Sequence, residues 1–239
     1  MTLSRTLGAY SVHVFTATGV IFGFLALMAT VEKQPFLAFM YLGIALLIDG
    51  IDGTLARAVG VKSVTPNVDG TTLDNVIDFF TYAIIPAAMI WCWDLVPMGW
   101  GAGMGAGVLL ASCATYANSN MKTRDGYFVG FPAIWNLVVL YLLIFGIGQH
   151  ASLLILLICM GLTFVPSTYV HPFRVRFLMP LTVFMTLLWT LSVSALSWTV
   201  LLNDQSVLAQ PWWGGILILT SLYFAAISLR RSFMTPRRI

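Results

Sequence analysis

The chain has 239 residues, of which 59% are hydrophobic and only 9% charged, with a formal net charge of +3. Soluble globular domains carry about 25% charged residues, so this composition, with a mean hydropathy of +0.90, excludes one. It points to an all-α integral membrane protein, a single bundle over residues 1–239, with no nucleic-acid partner expected. Cys92, Cys113 and Cys159 lie in apolar runs with no metal-ligand spacing, which suggests neither a zinc site nor a disulfide framework.

Eight apolar segments follow in chain order, at about 10–31, 35–57, 71–93, 97–118, 131–148, 151–170, 178–202 and 211–229. The first is too long for a signal h-region and lacks a cleavage pattern. Glycine, proline and charge mark the breaks. The runs are continuously apolar, so helices are expected rather than barrel strands of alternating polarity. With loops numbered alternately, Arg5, Arg57, Lys62, Lys122, Arg124, Arg174, Arg176, Arg230, Arg231, Arg237 and Arg238 share one side, and Lys33 alone takes the other. The positive-inside rule then puts both termini and the Asp49–Arg57 end in the cytoplasm.

The first segment carries a polar stripe of His13, Thr16 and Thr18, which could line a binding site or merely satisfy backbone. The fourth opens with glycines 99, 101, 103, 105 and 107. This is not a nucleotide loop. Small residues at four-residue spacing allow close helix approach, within the bundle or in a homodimer.

The acidic residues carry the chemistry. Asp49 and Asp52 are three apart, Asp74 and Asp78 four apart, so each pair shares a helix face. Asp49 lies roughly 12 Å by helix rise from Arg57 at the cytoplasmic surface, and Asp78 at a similar depth. The second and third segments are joined by a short loop and should be antiparallel, so the four carboxylates can converge. A carboxylate at mid-membrane costs roughly 2.5–3.5 kcal/mol on insertion scales, and four like charges need cations. Oxygen-only ligands select hard ions such as Mg²⁺, Mn²⁺ or Ca²⁺. Two divalent ions would balance four carboxylates, as in sites for phosphoryl transfer. Gly53, Ala56 and Gly70 keep bulk away from a bound nucleotide, and Arg57 offers a fork to a phosphate oxygen.

The pattern D-x2-D-G-x2-A-R-x12-G-x3-D-x3-D, from Asp49 to Asp78, resembles the signature of the CDP-alcohol phosphotransferase family, with every fixed position present. The resemblance implies a six-helix catalytic core within the eight-helix bundle. It implies Asp49, Asp52 and Asp74 as metal and nucleotide ligands, and Asp78 as metal ligand and general base, with Mn²⁺ or Mg²⁺ as working ion. Twelve residues separate Arg57 from Gly70 where many members have eight. That spacing, the DGIDG sequence, VHVFTATG (12–19) and KTRDGYFVGFPAIWN (122–136) look like the bacterial branch that uses choline. This implies CDP-diacylglycerol as donor, choline as acceptor and CMP as leaving group.

Choline has a fixed positive charge and no N–H, so aromatic faces and nearby acids must hold it. Trp135 and Asn136 are the leading candidates, with Tyr82 and Phe131. Arg174 and Arg176, beside Pro172, are candidates for the diphosphate. Serine, glycerol phosphate or inositol could replace choline on the same machinery. A cation transporter would sooner show inverted repeats and broken midplane helices, and the motif is not repeated elsewhere in the chain.

Overall fold

The computed structural model describes residues 3–234; Arg237 and Arg238 lie outside them. The chain is helical nearly throughout: α1 (Leu3–Val31), α2 (Pro35–Val59), a single turn α3 (Val61–Val64), α4 (Gly70–Phe79), α5 (Ile85–Cys92), α6 (Gly101–Ala117), α7 (Trp135–Ile144), α8 (Gln149–Thr163), α9 (Met179–Leu196) and α10 (Pro211–Met234). A π-helical turn, Phe80–Ile84, joins α4 to α5, and a second, Ser197–Leu202, extends α9. The protein is an all-α polytopic membrane protein. Five segments are long and apolar enough to cross a bilayer: Arg5–Val31, Pro35–Val59, Gly70–Cys92, Met179–Leu202 and Pro211–Phe233. Large apolar side chains such as Leu47, Leu187 and Leu222 are exposed on them, as a lipid-facing surface requires.

Three expected spans are shorter than their apolar runs. The segment 97–118 gives α6, 151–170 gives α8, and 131–148 gives only the ten residues of α7, about 15 Å against a hydrocarbon core of about 30 Å. Glycine and proline are the cause. Gly130 has φ +78°, and a Cβ there would collide with the Thr163 carbonyl. Pro132 follows at once. At the other end Gly146, with φ +58°, closes α7, its N–H bonding Leu143 O at 3.1 Å and that of Ile147 bonding Leu142 O at 2.9 Å. Irregular backbone at depth survives where protein covers it. Here Pro132 and Ala133 are buried, and Phe131 N–H donates to Leu162 O at 3.0 Å.

A two-stranded antiparallel ribbon was not expected. Strand β1 (Phe128–Val129) pairs with β2 (Thr168–Tyr169), Phe128 opposite Tyr169. The far end of α10 holds it in place: Ser232 Oγ accepts from Thr168 N–H at 2.8 Å, and Ser228 Oγ accepts from Val170 N–H at 3.1 Å. Arg231 Nε donates to Asp125 at 2.9 Å.

Contacts between segment ends set the alternation of the helices. His13 near the start of α1 meets Thr65 after α2. At the opposite end, Trp93 Nε1 donates to Thr30 O at 2.9 Å, and Gln149 Nε2 donates to Asp94 O at 2.8 Å. Trp135, Ile85, Met89, Ile90, Val108 and Leu156 fill the main core between α5, α6, α7 and α8. Three glycines of α6 are used inside the bundle, while Gly103 has no neighbour within 4 Å of a Cβ position. A Cβ at Gly105 would stand 3.1 Å from Ala87 O, one at Gly101 3.1 Å from Trp91, and one at Gly107 2.9 Å from Met160 Sδ.

Candidate active site

The π turn sets the geometry of the site. Pro86 has no N–H to give to Tyr82 O, so the helix cannot continue its regular ladder. Ile85 N–H instead bonds Phe80 O, five residues back, as in other π bulges at functional positions. Asp74 and Asp78 lie just before the bulge and Tyr82 within it. The Tyr82 hydroxyl donates to Asp49 Oδ2 at 3.4 Å, linking the third apolar segment to α2.

Asp49 of α2 and Asp74 and Asp78 of α4 each bring one carboxylate oxygen to within 4.8 Å of the others. Two oxygens on one ion at about 2.4 Å cannot be farther apart than roughly 4.8 Å, so the separations fit a hard divalent cation. The donors are all oxygen, as such an ion prefers. Asp52 lines the same small cavity, with Thr16, Gly19, Ala45, Ile48 and Ile77; it is 6% exposed and lies against Thr16 of α1. Among the described residues the ion pairs are Lys33–Asp94 and Arg231–Asp125, so none neutralises this cluster. At an effective dielectric of about 20, two carboxylates 4.8 Å apart repel by about 3.5 kcal/mol when both are ionised. Carboxylates this close, when ionised, call for positive charge beside them.

The other motif residues lie farther along α2 and at the start of α4. Arg57 is exposed, and its Nη2 donates to Thr54 Oγ1 at 3.0 Å. Its guanidinium folds back along α2, so a Cβ at Gly53 would stand 3.3 Å from Nη1. Ala56 packs toward Val61, Ala9 and Val12. Gly70 opens α4 after Asp69, whose carboxylate caps the helix by accepting from Thr71 N–H at 2.9 Å and Thr72 N–H at 3.2 Å. Those bonds and the Thr72 hydroxyl hold the exposed Asp69 carboxyl below its usual range.

The basic residues divide. The Lys122 ammonium is held below its ordinary value by desolvation and by Arg174, while Asp78, Asp74 and Asp49 pull it the other way. Lys122 and Arg174 therefore stand together within electrostatic reach of the acids. Arg176 is exposed and has no such relation in the structure. Lys122 sits 5.4 Å over the Phe128 ring, and the His171 ring stacks on the same Phe128 at 5.4 Å and 12°. Burial, with Arg174 and Lys122 beside it, pushes His171 down to about 4, so it is neutral at physiological pH. The sequence alone placed Lys122, Arg124, Arg174 and Arg176 on the side of the diphosphate, favoured Arg174 and Arg176 equally over the other two, and gave His171 no role. The β ribbon brings Lys122, His171 and Arg174 together, and no periodicity announces a ribbon of two residues a strand.

The expected choline candidates also divide. Trp135 is 1% exposed, and its Nε1 donates to Ser112 Oγ at 2.9 Å. Asn136 is buried, its Oδ1 accepting from Leu137 N–H at 2.9 Å. Phe131 packs on Trp135 and Tyr169 at 5.4 and 5.7 Å. Trp135 and Asn136 are therefore core residues in this structure and offer no open face, because α7 begins only at Trp135 and turns it inward. Tyr82 touches the carboxylates directly. Tyr116 of α6 stands within electrostatic reach of Asp78, Asp49 and Asp74 and packs edge-on against Phe79 at 5.6 Å. A larger cavity, about 240 Å³, opens between the ends of α6 and α8 and is lined by Thr115, Asn118, Gly130 and Phe164 among others. It holds none of the acids, so its size does not make it the reaction centre.

A half-buried cluster of carboxylate ligands near one end of a helical membrane bundle, with an exposed arginine on the same helix as Asp49, is a site suited to a hard cation within a membrane protein. The family model described as CDP-alcohol phosphatidyltransferase matches residues 10–166, a stretch that contains α2, α4 and all the motif acids. The chain belongs to this family of transferases. It is 40% identical to the phosphatidylcholine synthase of Pseudomonas aeruginosa over 224 residues, 94% of this chain and 92% of that one. It is 37% identical to the phosphatidylcholine synthase of Rhizobium meliloti over 92% of this chain and 88% of the other. The phosphatidylcholine synthase of Borreliella burgdorferi is 34% identical over 95% and 94%.

Proposed function

We propose that this protein transfers the phosphatidyl group of CDP-diacylglycerol to choline, giving phosphatidylcholine and CMP, as one catalytic unit across the chain. The observation that carries this is the meeting of Asp49, Asp74 and Asp78 within 4.8 Å at the end of the bundle that holds Arg57, Lys122 and Arg174. The names of the relatives support choline as acceptor. Two divalent ions, Mn²⁺ or Mg²⁺, held by Asp49, Asp74 and Asp78 with Asp52 alongside, would neutralise the acids and the donor diphosphate and polarise the transferred phosphorus.

The residues do the rest. Arg57, and Lys122 with Arg174, meet the phosphate oxygens from the aqueous side. Gly53 leaves the donor room beside α2, while Ala56 and Gly70 let α2 and α4 close on α1 behind it. The choline hydroxyl attacks the β-phosphorus as Asp78 takes its proton; the new P–O bond forms as the bond to CMP breaks. CMP departs toward Arg57. Tyr82, with Tyr116 behind it, supplies the aromatic surface for the quaternary ammonium, and the acids below supply the negative field. This replaces Trp135 and Asn136 as the acceptor contact, since both are enclosed. The charge asymmetry supports a site facing the cytoplasm, and the bacterial relatives support the inner membrane as its place.

The test is direct. Purified protein is incubated with CDP-diacylglycerol, Mn²⁺ or Mg²⁺, and labelled choline, serine or inositol, and the lipid product is identified. Labelled phosphatidylcholine is expected. A serine or inositol lipid with no choline lipid would overturn the acceptor.

A further inference from the structure

The twelve-residue connection between Arg57 and Gly70 is tied to α1. Gly60, in the left-handed region at φ +70°, ends α2 and starts the turn α3. Val61 of that turn packs on Ala9 and Val12 of α1. Behind it, the buried His13 Nε2 meets Thr65 Oγ1 at 3.0 Å. The Thr65 hydroxyl has a second partner, Val61 O, at 3.2 Å. Both bonds are satisfied at once when the hydroxyl donates to Val61 O and accepts from a protonated Nε2. Thr65 then leads directly into the motif: Val68 N–H bonds Thr65 O at 3.1 Å, and Gly70 N–H bonds Val68 O at 3.1 Å. The His13 ring also fills the space beside Gly70, where a Cβ would stand 3.2 Å from its Cε1 and 3.5 Å from its Nδ1. The glycine of the motif thus makes room for the imidazole.

We infer that His13 is a positioning residue of the nucleotide end of the site. It latches the α2–α4 connection through Thr65, and so sets where Gly70 and the first turn of α4 stand relative to Arg57. It touches neither the transferred phosphorus nor the acceptor. Its loss is felt by the CDP-linked donor and not by the alcohol. The inference rests on the transfer reaction proposed above.

The experiment is a kinetic comparison of the full-length enzyme with His13→Ala, Thr65→Val, the double variant and His13→Gln, whose amide N–H reaches the position of Nε2. One neutral hydrogen bond is worth about fivefold. His13→Ala is expected to raise the KM for CDP-diacylglycerol about fivefold, with the choline KM and kcat within about twofold. Thr65→Val should do the same, the double variant should be no worse than either single one, and His13→Gln should recover most of the loss. CMP affinity, measured by calorimetry in the presence of Mn²⁺, should weaken in parallel. An unchanged donor KM, an equal rise in the choline KM, a fall in kcat alone, additive effects of the two single variants, or no recovery with glutamine would each overturn the latch. A wild-type enzyme that makes no phosphatidylcholine would instead overturn the reaction itself.

Discussion

Replacing Asp78 with asparagine separates chemistry from folding. The side chains have the same shape, but one negative charge leaves a cluster whose oxygens lie within 4.8 Å of one another. Two pairwise repulsions between ionised carboxylates are removed, with Asp49 and with Asp74, each about 3.5 kcal/mol at the 4.8 Å limit and an effective dielectric of about 20. The metal-free variant should therefore melt no lower than the wild type. Catalysis should respond the other way. A positioned general base contributes about 10²–10⁴-fold, and the substitution also removes a metal ligand, so turnover should fall below about 1% of wild type, toward the upper end of that range. CMP binding, which relies on Arg57 and the remaining acids, should weaken by less than about tenfold, the equivalent of roughly 1.4 kcal/mol. The assays are labelled-choline incorporation, thermal unfolding in detergent without metal, and CMP calorimetry with Mn²⁺. An Asp78→Asn enzyme that keeps more than about 1% of its turnover would refute the base, by the same scale. A lower melting temperature would refute the charge argument.

Chelation with EDTA should abolish turnover, and Mn²⁺ or Mg²⁺ should restore it; full activity in the chelator would remove the ions from the mechanism. Trp135→Phe deletes the bond to Ser112, which is 0% exposed, and should cost about 1–3 kcal/mol of stability with the choline KM within about twofold. Tyr82→Leu should raise the choline KM by about threefold or more, by loss of a cation–π contact of about 0.5–2 kcal/mol; the opposite ranking would return the acceptor to Trp135. The hydrogen bond from Arg231 holds Asp125 below its usual range, so its stabilisation is complete at neutral pH and is lost as pH falls through the depressed folded value. Because Asp125 is half exposed, that bond should be worth no more than about 1 kcal/mol. Wild type and Asp125→Asn should differ slightly in melting temperature at pH 7 and converge in acid.

The membrane class, the apolar segments and the acid motif were legible in the sequence because each depends on local spacing. Carboxylates at i, i+3 and i, i+4 share a helix face whatever surrounds them, and a short loop between two apolar runs makes those runs antiparallel neighbours. Tertiary structure decided what spacing cannot express. The π turn at Phe80–Ile84 follows from Pro86 but delivers Tyr82 to Asp49 only because α2 lies opposite. Trp135 reads as an interfacial aromatic, yet the Gly130–Pro132 break and the Thr163 carbonyl push the start of α7 inward and bury it. Lys122, Phe128, His171 and Arg174 lie up to 52 positions apart and meet through a ribbon that α10 pins with two serines. His13 reads equally as a backbone filler or a site residue until Thr65 and Gly70 are seen against its ring. Periodicity reports which face a residue takes on its own element; it carries no information about which element covers that face.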